Sequence, residues 1–344
     1  MAIAIDRELA GDINNPSFEV INFCIEEHEK EIPRLKMLFD YYEGNPHKLN
    51  EEPQTTPHER GEVFVNNAKY VTDMMIGFIV GSPISYTAAK GKEIQPILDV
   101  LEKMRIKKHD KELEKGLSTM GVGLELHYLS LKSGTNETVP KISWIDPRGM
   151  FLVVDDTIER AKLFAVRMIE KRDLKREKFW EISVYTEKGV ITYLSRTKKL
   201  SQNNMIKQPK FKEHFYQAVP VVEFRNNEEK QGDYEQQLSQ IDKYNLLQTD
   251  RIKDKENFVK AIMFLYGFGL PEEEPEKVNG QYVIQAPAKE HGTGAEYVTN
   301  TFQESEVQTL ADSLLDDFHK TTYVPNLNDE QFAGNISGRL CPFC

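Results

Sequence analysis

Two pairs of adjacent carboxylates, Asp155-Asp156 and Asp316-Asp317, are the residues best suited to chemistry. Enzymes that cleave nucleic acids assemble several carboxylates around divalent metal ions, so these four side chains suggest a metal-dependent nuclease. Adjacent side chains on a strand point to opposite faces, however. Because a β-branched, apolar run at residues 150–154 precedes Asp155, we interpret the first pair as the turn that ends a strand. No metal, cofactor or catalytic residue is predicted.

Other reactive residues also lack the spacing that chemistry needs. Cys341 and Cys344 have CxxC spacing, but no residues follow to build the helix that would activate a thiol, and no second ligand pair completes a zinc site. The sequence contains no Walker A loop, HExxH or GxSxG. Several histidines are widely separated, and each is expected at the surface or satisfied in the core: His58, His127, His214, His291 and His319.

Composition limits the class of protein. The 344 residues carry a formal net charge of -11, and 39% are hydrophobic, which is enough for the cores of two or three domains. The longest apolar run, residues 74–80, is too short to span a bilayer. Acidic residues at positions 6, 8 and 12 replace the basic start of a secretory signal. These features predict an intracellular protein without a membrane span.

Periodicity predicts the elements of the first two thirds of the chain. Apolar residues at helical spacing predict helices over residues 17–43 and from Val65 to Phe78. Short β-branched and aromatic runs between residues 124 and 224 predict a mainly antiparallel sheet. The basic run at residues 171–178 is interrupted by acids, so we interpret it as a solvated hairpin tip.

The last third changes character. A polar helix is predicted from about Gly232 to Lys255, and its thin apolar face requires a partner in this chain or in another copy. A second helix is predicted over residues 303–319. Strand candidates at residues 261–266 and 281–284 lie between the two helices, and residues 321–338 have the composition of a loop.

The order and spacing of several short stretches resemble one family, the portal proteins of tailed bacteriophages and prophages of the siphophage type. The matching stretches are residues 40–45 (DYYEGN), 65–73 (VNNAKYVTD), 77–83 (GFIVGSP), 146–147, 153–156, 161–167, 220–228 (PVVEFRNNE), 232–233 and 241–245.

The resemblance implies an α+β fold with a helix-and-sheet wing and a two-helix stem that carries a small α/β clip. The wing would be residues 1–224. The stem would consist of a first helix at residues 225–256 and a second at 299–322, with the clip between them at residues 257–298. The tunnel loop would follow at residues 323–338. From the same resemblance we expect the long wing helix and crown of the family to be missing, and we expect this chain alone to form rings poorly. A homogeneous dodecamer in native mass spectrometry would contradict that expectation.

The resemblance also implies a function without catalysis. It implies a dodecameric ring at one capsid vertex, through which double-stranded DNA is packaged and ejected. The implied partners are the terminase large subunit, the head-tail adaptor, the scaffold and the major capsid protein, and the implied locations are the virion and, during assembly, the host cytoplasm. An acidic channel wall would repel phosphates and let DNA slide, although -11 also suits an ordinary soluble protein.

Candidate functional residues follow from the same segments. The expected DNA contacts in the tunnel loop are Asn326, Asn328, Gln331, Asn335 and Ser337. The partner-facing clip candidates are Glu272, Glu273 and Glu274. Lys243 and Lys253 are candidates for the inner stem surface. Two alternatives remain, the metal-dependent nuclease and a minor capsid or head-tail connector protein.

Overall fold

The computed structural model describes residues 2–45, 63–131, 134, 137–259, 262–266, 277–278, 281–286, 294–298 and 304–327. The chain divides into two compact units. Unit 1 consists of Met1–His47 and Asn66–Gln236, and unit 2 of Lys48–Val65 and Gln237–Cys344. The predicted α+β fold class is confirmed, since helices and mainly antiparallel sheets occur together.

Unit 1 contains five helices and nine strands within the described residues. The helices are α1 (Arg7–Ala10), α2 (Phe18–Glu43), α3 (Asn67–Val80), α4 (Gln95–Lys103) and α5 (Ile106–Met120). The strands are β1 (Ile3–Ile5), β2 (Val122–Leu131), β3 (Thr138–Ile145), β4 (Met150–Asp155), β5 (Lys162–Arg172), β6 (Lys178–Tyr185), β7 (Gly189–Ser195), β8 (Met205–Glu213) and β9 (Val221–Arg225).

The two predicted N-terminal helices are confirmed, and local capping explains their bounds. The Ser17 hydroxyl accepts a hydrogen bond from the Val20 amide at 3.3 Å, and Gly44 ends α2 at φ 86°. The Asn66 side chain accepts from the Lys69 amide at 2.9 Å at the start of α3. Helices α4 and α5 are not among the predicted elements.

The predicted antiparallel region forms two sheets. The larger has the strand order β1-β4-β5-β6-β7-β8, and the smaller has the order β3-β2-β9. All neighbours in these sheets are antiparallel except β1, which pairs with β4 in parallel. The basic run forms the turn between β5 and β6, where Arg172 pairs with Lys178, so the hairpin interpretation is confirmed.

Strand β4 lies at the centre of the core and is buried on both faces. Phe151 and Val153 pack in one cluster with Ile21 and Ile25 of α2. Met150, Leu152 and Val154, on the opposite face of β4, pack against the three-stranded sheet. Burial on both faces explains why this strand reads as a continuous apolar run instead of an alternating one.

Unit 2 contains helices α6 (Leu238–Val259) and α7 (Glu304–Thr322), with strands β10 (Ile262–Tyr266), β11 (Lys277–Val278), β12 (Gln281–Ala286) and β13 (Gly294–Val298) between them. These strands form one sheet in the order β11-β12-β10-β13. Helix α6 begins six residues later than the predicted Gly232, because residues 232–237 form turns. Among the described residues, no helix combines the length and apolar content of a membrane span.

Candidate functional site

The segment of unit 1 that follows β9 and precedes α6 is held tightly by the rest of that unit. We call residues 226–236 the connector. At its start the Asn226 amide donates to the Gly121 carbonyl at 3.0 Å, and further on the Asp233 amide donates to the Ser118 carbonyl at 2.8 Å. Both acceptors lie where α5 ends and β2 begins. The connector is therefore anchored by backbone hydrogen bonds to the corner between a helix and a strand.

Close backbone approach requires glycine in this corner. A Cβ at Gly232 would lie 2.6 Å from the Thr119 carbonyl oxygen and 2.8 Å from that of Ser118. Both distances are below any normal contact of a Cβ atom, and backbone atoms cannot rotate away as a flexible side chain can. The Gly232-Asp233 pair in the sequence pattern thus has a packing reason.

An ion pair fixes the connector to helix α2. Arg34 donates from Nε to Glu235 Oε1 at 2.7 Å and from an Nη atom to Oε2 at 2.6 Å, which is the bidentate geometry of a strong pair. The same Nη donates to the Lys230 carbonyl at 2.9 Å. The Gly232 amide donates to Glu235 Oε2 at 3.0 Å, so the carboxylate also closes the turn before α6.

Tyr234 inserts the connector into the core. Its side chain is fully buried, and its hydroxyl donates to the Leu38 carbonyl of α2 at 2.6 Å. Burial raises the pKa of this phenol, so it remains a donor at every physiological pH. The connector therefore combines a buried aromatic anchor with charged and backbone contacts.

Replacing Arg34 with Lys should weaken this attachment measurably. Lys keeps the charge but loses the planar fork, so the second Glu235 contact and the Lys230 contact cannot both form. We expect a loss of about 1–2 kcal/mol in the free energy of unfolding, measured by denaturant titration. Arg172→Lys, at an exposed position at the end of β5, is the matched control and should change stability by less than about 0.5 kcal/mol. Equal effects of the two variants would contradict the assigned role of Arg34.

Helix α6 buries the thin apolar face that its sequence predicts. Ile241 and Asn245 are fully buried, and Thr249 is nearly so. Asn245 Oδ1 accepts from the Val65 amide at 2.8 Å, and Thr249 Oγ1 accepts from the Val63 amide at 3.1 Å. The partner that this helix requires is thus supplied in part by the segment before α3, through backbone amides.

Ion pairs join the two helices of unit 2. Arg251 and Lys255 of α6 both bind the carboxylate of Glu304 at the first turn of α7, with Lys255 Nζ 2.9 Å from Oε2. These pairs bring the end of α6 next to the start of α7. The strands β10 to β13 therefore emerge from, and return to, one end of a helix pair.

The residues predicted to contact DNA lie only partly within the described structure. Asn326 is half-buried, four residues after α7, and His319 Nδ1 hydrogen-bonds to the Val324 carbonyl at 2.9 Å just before it. Tyr323 takes the left-handed conformation at φ 58°, which turns the chain away from the helix axis. Lys243 and Lys253 are exposed on α6. The other candidates lie outside the described residues: Asn328, Gln331, Asn335, Ser337, Glu272, Glu273 and Glu274.

The carboxylate pairs that suggest a nuclease have other surroundings. The buried Asp155 carboxylate accepts from the Thr157 hydroxyl at 2.7 Å and from the Ala161 amide at 3.0 Å, so it closes the turn after β4. The turn interpretation of this pair is confirmed. Asp316 and Asp317 are exposed on α7. Within the described residues, no group of three histidine, cysteine or acidic side chains is arranged to hold a metal ion.

One polar cluster was not expected from the sequence. Glu125 on β2 accepts from His109 Nε2 of α5 at 2.6 Å and contacts His127 Nε2 at 2.7 Å. Although burial raises the pKa of Glu125, the hydrogen bonds and charges of the two histidines outweigh that effect and lower it to about 2. The only sequence signal was the spacing of Glu125 and His127 on one face of a strand. The cluster joins helix α5 to strand β2.

Comparison with known proteins assigns the class. The family described as "Phage portal protein, SPP1 Gp6-like" matches residues 21–339, and the chain belongs to this family of structural phage proteins. It is 20% identical over 361 aligned residues to the portal protein of Bacillus phage SPP1, covering 96% of this chain and 68% of that relative. The chain is accordingly a phage portal subunit, and the family implies an oligomeric ring in the phage head, at the capsid vertex.

Proposed function

We propose that copies of this chain form a ring of twelve, through which double-stranded DNA is packaged and later ejected. The observation that carries the proposal is the helix pair of unit 2, joined through Glu304 and interrupted by a four-stranded sheet. A stem with an inserted clip requires this arrangement. Unit 1 with its two sheets corresponds to the wing, α6 and α7 to the stem, and residues 257–298 to the clip.

The proposed DNA path follows from charge and position. Helix α7 exposes Asp312, Asp316 and Asp317, and the whole chain has a net charge of -11. A negative wall repels phosphates, so DNA would pass without being held. The segment after α7, at residues 323–338, is the proposed tunnel loop. Its candidate contacts, of which Asn326 is the first, have short polar side chains that can touch phosphates without strong ionic attachment.

The proposed partners are those that a portal ring meets. The clip, with Glu272, Glu273 and Glu274, would face the terminase large subunit during packaging and the head-tail adaptor afterwards. Scaffold and major capsid protein would surround the ring. The chain would assemble in the host cytoplasm and end in the virion. ATP hydrolysis would belong to the terminase partner, since the sequence contains no Walker A loop.

Electron microscopy of the purified full chain tests this proposal. We expect negative-stain images to contain closed rings with a central channel, in a proportion that grows with protein concentration, and mass photometry to record the matching mass. The series should cover several concentrations at low and at moderate salt. Monomers in all of these conditions, or divalent-metal-dependent cleavage of DNA lost in Asp155→Ala and Asp316→Ala variants, would contradict the proposal.

A further inference from the structure

Helix α4 and the chain before it form a surface of unit 1 with little support from the rest of the subunit. Every residue from position 81 to 93 is exposed, and α4 contains no buried residue. We call residues 81–108 the arm; none of them is buried. A nine-residue helix is not stable in water by itself, so an arm this exposed requires a covering partner.

The arm exposes large apolar side chains, and some of them line a groove. Ile84 and Tyr86 are 53% and 40% exposed, and Ile97 on α4 is 58% exposed. Ile84, Tyr86 and Leu98 line a groove of about 660 Å³, which the arm forms largely from its own residues. Contiguous exposed apolar surface of this kind marks an interaction site in soluble proteins.

Charge indicates what kind of partner would fit. The arm contains six basic and three acidic side chains, in a chain whose formal charge is -11. The first 26 residues of the same chain have the opposite balance, with five acidic side chains and one basic. This N-terminal face also exposes Leu9 and Phe23, at 76% and 51%. Apolar groups with surrounding charges of opposite sign are thus available on two different surfaces of unit 1.

We propose that the arm of one copy docks on the N-terminal face, residues 2–26, of a second copy. This inference rests on the proposed function, because a ring joins two different surfaces of each subunit head to tail. The unequal charges of the arm and the N-terminal face suit such a contact. A basic arm could instead meet duplex DNA, and the experiment distinguishes these partners.

Site-specific cross-linking identifies the occupant directly. A photo-activated cross-linking amino acid at position 97 of the full chain is irradiated over a range of protein concentrations, with and without a 30-base-pair duplex, and the products are mapped by mass spectrometry. We expect cross-links to peptides from residues 2–26 of a second copy. Capture of DNA, capture confined to other regions, or no inter-chain product at any concentration overturns the inference.

A matched pair of variants supplies the second measurement. Ile97→Asp should raise the concentration needed for self-association at least tenfold, whereas Ile158→Asp, at a fully exposed turn, should change it less than twofold. Both positions are exposed, so circular dichroism should match the parent chain. Equal effects overturn the inference. Rings without the cross-link would reject this contact and leave the proposed function intact. The cross-link without closed rings would support this contact and contradict the proposed ring.

Discussion

Gly121→Ala should destabilise unit 1 by about 3–4 kcal/mol, a large effect for a single methyl group. Gly121 has φ +77°, where an L-residue costs about 1 kcal/mol. Its Cβ would also lie 2.0 Å from the Lys230 carbonyl oxygen and 2.6 Å from the carbonyl carbon of Gln231. Both are backbone atoms of the connector, so the connector itself must shift and the hydrogen bond from Asn226 to Gly121 is strained.

Gly91→Ala isolates the part of this effect that comes from close approach. Gly91 has the same φ of +77° but no atom within 4 Å of its Cβ position. Its substitution should therefore cost only the free energy of placing an L-residue in the left-handed conformation, about 1 kcal/mol. The two tryptophans of the chain, Trp144 and Trp180, both lie in unit 1, and their fluorescence during denaturant unfolding reports on that unit. Similar losses in the two variants would show that the connector is not held where the structure places it.

Glu114→Gln should stabilise the protein above pH 7 by about 3 kcal/mol. Glu114 on α5 is buried, and its Oε1 has no hydrogen-bond partner among the described residues. Burial and the negative charge of Asp233 in the connector raise the pKa of Glu114 from 4.5 to about 7. The folded state therefore binds this proton more tightly than the unfolded state does. The stability that this protonated side chain contributes is fully present below pH 4.5. It is lost as the pH rises to about 7, and it remains absent above that pH.

Glutamine reproduces the neutral form of the side chain, so the variant should lose this pH dependence. Unfolding followed by tryptophan fluorescence at pH 5 and pH 8 measures the difference, and the two proteins should differ by less than about 1 kcal/mol at pH 5. Glu112→Gln, an exposed position on the same helix that pairs with Lys108, is the control and should have little effect at either pH. A variant that gains nothing at pH 8 would show that Glu114 is ionised without cost.

Local patterns in the sequence determined much of the fold. Helices α2 and α3, strand β4, the hairpin at residues 172–178 and helix α7 follow from periodicity, caps and turns, which act over a few neighbouring residues. The stretch 220–228 with Gly232-Asp233 also indicated the family. The match of the portal family to residues 21–339 confirms that identification. Helices α4 and α5 were missed because α4 is short and α5 has a largely charged surface, so neither has a long apolar stripe.

Only the tertiary structure decided which distant residues hold the connector in place. Arg34 and Glu235 are 201 positions apart, and nothing in their local sequence indicates that they form a bidentate pair. The need for glycine at position 121 depends on where the Lys230 carbonyl comes to lie, which is set by the packing of α5, β2 and the connector. Glu114 likewise looks like an ordinary surface acid of a charged helix until the connector buries it beside Asp233. Short-range hydrogen bonding is readable from neighbouring residues, whereas close approach and burial are properties of the assembled core.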